Sequence, residues 1–197
     1  MDHDTCMKDI YQKLKEISGK ESRPAILAID GRCASGKSTL GAQLAAEWDA
    51  NLFHMDDFYL QPHQRTAERL AEPGGNVDRE RFLEEVLKPL REGRAVTYRR
   101  FDCKTFTFEP SRIIEPKAIT IVEGSYACHP ELRELYDIRL FLDIDPQTQM
   151  ERIIRRNGPE AAERFRTLWI PLEESYFREC GVRESCEERR GDRGGMR

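Results

Sequence analysis

A glycine-rich loop at residues 31–38 carries the clearest chemical signal in the sequence. Its residues, GRCASGKS, match the pattern G-x-x-x-x-G-K-[ST] at every fixed position. Such a loop offers backbone N–H groups to phosphate oxygens, while its lysine reaches the β- and γ-phosphates and its serine hydroxyl reaches Mg²⁺. An apolar strand is predicted before it and an amphipathic helix after it, the context that this motif requires. We therefore predict ATP contacts for Gly31, Ala34, Ser35, Gly36, Lys37, Ser38 and Thr39.

Composition narrows the class of protein. The chain has 197 residues, of which 39% are hydrophobic and 35% charged, and its formal net charge is −4. The near balance of charges argues against a nucleic-acid partner, which favours a basic excess. No apolar run approaches the roughly 18 residues that a membrane helix needs, and the acidic, polar start MDHDTCMKDI is unlike a secretory signal.

The cysteines point to a reducing compartment. Six of them, at positions 6, 33, 103, 128, 180 and 186, form no C-x-x-C pair and match no zinc spacing. We predict reduced thiols in a cytoplasmic protein. The expected partner is a small molecule rather than a nucleic acid or a membrane. The N-terminal helix could extend the fold or mediate homo-oligomer assembly.

Strands that alternate with helices predict an α/β fold with a parallel sheet covered by helices on both faces. We predict one domain over residues 1–182. A helix is expected at 4–18, and further helices should start at Asp78, Asp145 and near Glu160. Strands are expected at 25–29, 52–55, 118–122 and 138–142. Residues 60–77 read as a long functional loop, residues 94–115 as irregular to β-like, and Pro171 should bend the last helix. The charged residues 183–197 are predicted to be a disordered tail.

Several motifs follow the loop in a familiar order. They are the sequences ASGKST, Met55-Asp56-Asp57-Phe58-Tyr59, Asn76-Val77-Asp78 and Val122-Glu123-Gly124, and the arginines Arg152, Arg155 and Arg156. Over residues 24–180 this order resembles P-loop nucleoside kinases of the uridine kinase type, which are related to phosphoribulokinase, pantothenate kinase and nicotinamide riboside kinase. The resemblance implies a P-loop NTPase-type parallel sheet with a short Arg-rich lid over residues 152–166. It also implies an ATP- and Mg²⁺-dependent transfer of phosphate to a hydroxyl of a small acceptor held near residues 60–77.

The sequence departs from this family where the acceptor would bind. Phe101-Asp102 stands where the family has Tyr-Asp, and Lys104-Thr105-Phe106 stands where it has a substrate histidine. Uridine or cytidine is the first acceptor to expect, with nicotinamide riboside, pantothenate or a sugar phosphate as alternatives. A nucleotide-binding regulatory protein without turnover is a different alternative, which the retained Asp56, Lys37, Ser38 and arginines disfavour.

The reaction assigns roles to particular side chains. Phosphoryl transfer needs an in-line acceptor, charge neutralisation and a proton acceptor. We expect Asp56 to end the second strand, beside the loop strand, and to act as the general base. Adjacent strand residues point to opposite sides, so Asp57 should not share that role. Glu123, with Ser38 and Asp56, is predicted to serve Mg²⁺.

The remaining predictions concern the lid and the acceptor. Arg152, Arg155 and Arg156 share a helix face and should close onto the triphosphate, with Arg156, Asp56 and Lys37 as the catalytic residues. Arg164 is a weaker candidate. The resemblance and the local aromatic residues give the acceptor contacts as Asp78, Tyr59, Tyr98, Phe101, Asp102 and Arg166. Each role has a structural alternative. Asp56 could simply cap a strand, and Asp78 could cap a helix N-terminus. The aromatic residues could belong to ordinary core packing.

Overall fold

The computed structural model describes residues 3–190. Its strands are β1 (Ala25–Gly31), β2 (Asn51–His54), β3 (Val96–Tyr98), β4 (Phe101–Asp102), β5 (Thr107–Phe108), β6 (Arg112–Ile114), β7 (Ile119–Glu123), β8 (Ile138–Asp143) and β9 (Glu187–Arg190). Its α-helices are α1 (His3–Lys20), α2 (Lys37–Glu47), α3 (Ala67–Ala71), α4 (Arg79–Phe82), α5 (Lys88–Arg91), α6 (Pro130–Arg133), α7 (Pro146–Asn157), α8 (Pro159–Arg164) and α9 (Ile170–Glu179). Of the helices within residues 3–190, none combines the length and the apolar character needed to cross a membrane.

Five parallel strands form the central sheet, in the order β2-β7-β1-β8-β9. The middle strand, β1, pairs with β7, where Ala28 lies opposite Val122, and with β8, where Ile29 lies opposite Leu140. Every residue of β1 and β7 is buried. Near-continuous burial is expected of parallel strands that are covered on both faces. The predicted α/β class is confirmed.

The side chains of β1 alternate between two apolar clusters, one on each face of the sheet. Leu27 and Ile29 face a cluster that also holds Met7, Ile10 and Leu14 of α1 and Leu40 and Leu44 of α2. Ile26 and Ala28 face a second cluster, which is rich in aromatic rings and contains Phe53, Phe82, Phe141 and Tyr176. Helices α1 and α2 therefore cover one face, and the segments around α4, α5 and α9 cover the other.

The second strand departs from its predicted position in two respects. First, β2 pairs with β7, so β7 separates it from the loop strand β1, and the expectation that they are neighbours is wrong. Second, β2 ends at His54, and a 3-10 helix, Met55–Phe58, carries both aspartates. Asp56 and Asp57 are therefore separated by the turning of a helix rather than by strand alternation.

The predicted disordered tail is wrong as far as residue 190. The chain continues from α9 into β9, which adds to the edge of the sheet beside β8, with Leu140 opposite Glu187. Arg183 also pairs with Asp143 at the end of β8, at 2.7 Å between Nη2 and Oδ2. An edge strand needs only backbone hydrogen bonds to one neighbour, so a charged composition does not exclude it. Residues 191–197 lie outside the described residues.

Two prolines lie just after π-helical turns. Pro171 follows the turn Phe165–Trp169, and Pro89 follows the turn Leu83–Leu87. Proline lacks an N–H and its ring crowds the carbonyl four residues earlier, and a wider turn relieves both problems. The predicted effect of Pro171 on the last helix thus takes the form of a local widening. Residues 94–115 form two short antiparallel pairs, β3 with β6 and β4 with β5, as the β-like pattern indicated.

Candidate active site

The glycine-rich loop connects the end of β1 to the start of α2. At Gly31 the loop passes so close to β8 that a Cβ would lie 2.1 Å from the carbonyl oxygen of Leu142, so only glycine fits. Lys37 is buried, and its Nζ donates to the carbonyl oxygens of Gly31 at 2.6 Å and Arg32 at 2.9 Å. The loop therefore folds around the lysine, and residues 36–39 line a large cleft.

Two features of this loop fit a phosphate group. The hydroxyl of Ser35 is buried without a hydrogen-bond partner among the described residues. Helix α2 has Gly36 at its N-cap, with no side chain to satisfy its first N–H groups. Unsatisfied N–H groups at a helix N-terminus form an anion site. The cradle is thus chemically suited to a nucleotide phosphate.

Helices α7 and α9 hold the loop from outside. The carboxylate of Glu173 accepts from the backbone N–H of Cys33 at 3.0 Å and from the hydroxyl of Ser125 at 2.8 Å. Gln149 donates to the carbonyl oxygen of Cys33 at 3.1 Å. Burial, assisted by the Glu173 charge, raises the pKa of Cys33 to about 12, so this thiol stays protonated. Sequence reasoning missed Glu173, because nothing local connects it to a loop 140 residues away.

Carboxylates line the cleft opposite the loop. Glu123 is buried at the end of β7; its Oε2 accepts from the Ser38 hydroxyl at 3.0 Å, and its Oε1 lies 2.6 Å from Nδ1 of His54. The hydrogen bond to Glu123 raises the pKa of His54. No local pattern singles out His54, since its partnership with Glu123 depends on the pairing of β2 with β7.

The carboxylates of the cleft could hold Mg²⁺ only with few protein ligands. Among residues 3–190, no group of three or more His, Cys, Asp or Glu side chains is arranged to hold a metal. Mg²⁺ at phosphoryl-transfer sites usually takes only one or two carboxylates and completes its shell with waters and substrate phosphates. Ser38, Glu123 and Asp56 line one cleft, and they fit that lighter requirement.

Asp56 and Asp57 both border a smaller cavity of about 470 Å³, but only Asp56 of the two also lines the main cleft. Asp56 opens into the main cleft, where the Tyr59 hydroxyl donates to its Oδ1 at 3.3 Å. Desolvation by the surrounding protein raises the pKa of Asp56, against the opposing effect of Lys37. Asp57 instead accepts from the Tyr98 hydroxyl and pairs with Arg100 at 3.0 Å. The two aspartates therefore do not play the same part.

The predicted acceptor contacts are only partly brought together. Within the part of the chain that the structure describes, Tyr59 alone of the six lines the main cleft, while Tyr98 borders a smaller cavity of about 470 Å³ beside it. Asp78 is buried and caps α4 by accepting from the Arg81 N–H at 3.1 Å. The helix N-cap is thus present, and the acceptor contact of Asp78, which such a cap does not exclude, stays a prediction.

The other three predicted contacts turn away from the cleft. Phe101 packs against Phe108, with ring centroids 5.3 Å apart. Asp102 accepts from the Lys104 N–H at 2.7 Å and so fixes the turn of the β4–β5 pair. Arg166 is exposed and pairs with Glu163 at 2.6 Å. Sequence reasoning missed the residues that do line this side, which are Leu60, Arg65, Leu70, Asn76, Cys103 and Tyr126.

The predicted lid arginines do reach the cleft. Arg152, Arg155 and Arg156 all line it from α7, and Nη1 of Arg152 donates to the loop carbonyl of Ala34 at 3.2 Å. Arg164 of α8 also lines it, with its guanidinium 5.5 Å from the Trp169 ring. The cleft encloses about 1870 Å³. A single small-molecule site usually has roughly 300–1,000 Å³, so this cleft is larger than one ligand requires.

Comparison with known proteins agrees with this geometry. Residues 26–168 match the model of the phosphoribulokinase/uridine kinase family. The chain belongs to this family. It is 33% identical over 162 residues to a uridine kinase of Halalkalibacterium halodurans, covering 77% of this chain and 74% of that one. It is 31% identical over 158 residues to a uridine kinase of Macrococcus caseolyticus, covering 75% and 74% of the two chains.

Solved structures share the fold at lower identity. D-glycerate 3-kinase from Cryptococcus neoformans superposes with a TM-score of 0.58 and 14% identity, over 91% of this chain and 90% of that one. Phosphoribulokinase from Rhodobacter spheroides gives 0.53 and 15%, over 84% and 67%. The family member described here is thus a P-loop kinase by sequence and by fold.

Proposed function

We propose that this kinase transfers the γ-phosphate of ATP, with Mg²⁺, to a hydroxyl of a small acceptor, with a nucleoside such as uridine or cytidine as the first candidate. One observation carries the proposal: the phosphate loop, Asp56, Glu123 and the lid arginines all line one cleft of about 1870 Å³. That volume accommodates a nucleotide and an acceptor together. The names of the relatives from Halalkalibacterium halodurans and Macrococcus caseolyticus support a nucleoside.

The residues supply what phosphoryl transfer needs. The loop N–H groups and Lys37 hold the donor phosphates, and Ser38, Glu123 and Asp56 would hold Mg²⁺, which offsets charge on the phosphates when bound. The acceptor oxygen attacks the γ-phosphorus, the bond to the β–γ bridging oxygen breaks, and ADP leaves. The hydroxyl proton passes to Asp56, whose raised pKa makes its ionised form a stronger base.

The lid arginines serve the transferring group. Arg152, Arg155 and Arg156 place positive charge on the cleft wall beside the loop. Guanidinium groups offset the charge that spreads over the phosphoryl oxygens in the transition state, and a closed lid excludes water as a competing acceptor. Arg156 is the proposed catalytic member of the three.

The proposal is tested by ADP release with Mg·ATP against uridine, cytidine, other nucleosides, nicotinamide riboside, pantothenate and pentose phosphates. Release should require an acceptor. Asp56→Asn should lower kcat by roughly 10²–10⁴-fold, because the proton acceptor is lost, while ATP affinity changes little. Asp49→Asn is a matched control, since Asp49 is exposed and pairs with the exposed Lys117.

Two results would contradict the proposal. If Asp56→Asn kept the full kcat, Asp56 would not be the general base. ATP binding without release for any acceptor in the panel would favour the non-catalytic alternative, a nucleotide-binding regulatory protein.

A further inference from the structure

His54, at the end of β2, reaches the candidate metal site from outside the main cleft. Its ring Nδ1 lies 2.6 Å from Oε1 of Glu123. In the part of the chain that the structure describes, His54 borders the smaller cavity but does not line the main cleft. Ser38, Asp56 and Glu123 line both spaces. His54 is therefore next to the candidate Mg²⁺ ligands without lining the space where the nucleotide would bind.

Both oxygens of the Glu123 carboxylate are engaged by neighbouring side chains. Oε2 accepts from the Ser38 hydroxyl at 3.0 Å, and Oε1 accepts from His54. An ionised carboxylate has no hydrogen to donate, so Nδ1 of His54 carries the hydrogen of this contact. Helix α2 confines the carboxylate from another side, since a Cβ built at Gly41 would lie 3.2 Å from Cγ of Glu123. These contacts restrict the orientation of the carboxylate.

His54 contributes little to the core. Its side chain is 39% exposed, whereas that of Glu123 is 5% exposed. The strand that carries His54 also lies at an edge of the central sheet. A buried carboxylate needs hydrogen-bond donors, while a half-exposed ring at the end of an edge strand does not need the carboxylate. The contact therefore matters chiefly for Glu123.

We propose that His54 is a positioning residue for Mg²⁺ binding: its Nδ1–H holds Oε1 of Glu123 and so keeps the carboxylate in place for the metal. The inference rests on the proposed kinase function and deepens it with a residue that acts only through Glu123. Groups that hydrogen-bond to metal ligands set the orientation of those ligands, and their loss typically weakens metal affinity or activity by roughly 10–100-fold.

Binding of a non-hydrolysable ATP analogue, β,γ-imido-ATP, tests this role without turnover. Isothermal titration calorimetry with and without Mg²⁺ gives the factor by which the metal strengthens nucleotide binding. His54→Leu should reduce this Mg²⁺ factor by roughly 10-fold, because Glu123 is no longer held. Affinity for the analogue without metal should stay within about 2-fold, since that binding does not use the metal ligands. His54→Ala should give the same result and takes its place if the leucine variant does not fold.

Two further variants separate positioning from a general structural effect. Asparagine carries an N–H at the same distance along its side chain as Nδ1 of histidine, so His54→Asn should keep most of the Mg²⁺ factor. His63→Leu is a matched control and should change nothing, because His63 is exposed and lines neither cavity of the described residues. A merely structural role of His54 would instead lower the Tm and the affinity without metal.

A double-mutant cycle tests whether His54 acts through Glu123. In the Glu123→Gln background the carboxylate is gone, so adding His54→Leu should change the Mg²⁺ factor by less than about 2-fold. Steady-state kinetics adds a second readout. His54→Leu should raise the KM for Mg²⁺ by roughly 10-fold and leave kcat at saturating Mg²⁺ nearly unchanged.

The results distinguish a failure of this inference from a failure of the kinase proposal. An unchanged Mg²⁺ factor in His54→Leu, in a protein that phosphorylates an acceptor, would overturn the inference and leave the kinase intact. Equal losses in His54→Leu and His54→Asn would also overturn it, because the effect would not come from the Nδ1–H. Loss in His54→Leu with recovery in His54→Asn would support it even if no acceptor is phosphorylated. Nucleotide binding that does not respond to Mg²⁺ in the wild type would refute both the inference and the proposed metal site.

Discussion

Asp56 shows how one residue acquires its chemistry from its surroundings. An aspartate in water ionises well below neutral pH, but partial desolvation in the cleft raises the pKa of Asp56, although Lys37 acts in the opposite direction. Its neighbour Asp57 is tied to Tyr98 and Arg100. Two adjacent carboxylates of the same type thus differ in their surroundings, because Asp56 lines the main cleft and Asp57 is held by protein donors.

His129 shows the same effect in a structural residue. It is 7% exposed, its Nδ1 accepts from the Glu131 N–H at 3.3 Å, and its ring stacks 6.3 Å from that of Tyr176. Burial and the positive charge of Arg79, with a smaller effect from Arg69, lower its pKa from 6.5 to about 4, against Glu131 and Glu80.

This shift makes stability depend on pH. Between about pH 6.5 and pH 4, the His129 imidazole is protonated in the unfolded chain but neutral in the folded chain, because folding lowers its pKa. The free energy of unfolding should therefore fall as pH drops through that window, by on the order of 3 kcal/mol from this residue. Urea unfolding at pH 7.5 and pH 4.5 should show a smaller fall for His129→Asn than for the wild type, and an equal fall would contradict this role.

At the scale of elements, the junction between α7 and α8 positions the lid. Gly158 stands between them with φ 81° and ψ 164°, and nothing lies within 4 Å of a Cβ built there. Residues with a side chain rarely adopt these backbone angles, so backbone strain rather than a steric clash disfavours them here. The glycine lets the chain reverse between the helix that carries Arg156 and the helix that carries Arg164.

Gly158→Ala should therefore disturb the lid more than the core. We expect a loss of about 1–3 kcal/mol in the free energy of unfolding, because alanine is strained at this φ and ψ, together with a lower kcat/KM. Thermal unfolding and ADP release measure the two effects. Ala161→Gly in the next helix turn is the control, since it leaves the junction unstrained; a variant Gly158→Ala with unchanged stability and rate would show that the junction tolerates side chains.

At the scale of the whole molecule, nucleotide binding should couple to folding. The phosphate loop connects β1 to α2, and three other elements hold it in place. Leu142 of β8, Gln149 of α7 and Glu173 of α9 each hydrogen-bond to the loop. A ligand that binds there is held only by the folded chain. At 100 times its Kd, such a ligand adds about 2.7 kcal/mol of stability.

Mg·ATP should accordingly raise Tm by several degrees, given roughly 2–4 °C per kcal/mol for a domain of this size. Lys37→Ala should abolish most of this rise, because Lys37 is the proposed phosphate contact. Lys117→Ala is a matched control, since Lys117 is exposed, pairs with the exposed Asp49 and does not line the main cleft of the described residues. An unchanged rise in Lys37→Ala, measured by differential scanning fluorimetry, would remove Lys37 from the nucleotide site.

The sequence by itself determined the local features. The phosphate loop, the buried strands β1, β7 and β8 and the caps at Asp78 and Asp145 all follow from short-range rules of spacing and propensity. These rules act within a few residues, so no tertiary information was needed. The arginines of α7 reached the cleft for the same reason, because helical spacing alone places them on one face.

Only the tertiary structure decided which distant residues meet. The insertion of β7 between β2 and β1 brings His54 to Glu123, and the return of α9 brings Glu173 to Cys33. Phe101, Asp102 and Arg166 were predicted to contact the acceptor, but packing and local hydrogen bonds hold them away from the main cleft, which Arg65 and Cys103 line instead. Side-chain direction in loops depends on packing against residues far along the chain, which neither periodicity nor motif spacing encodes.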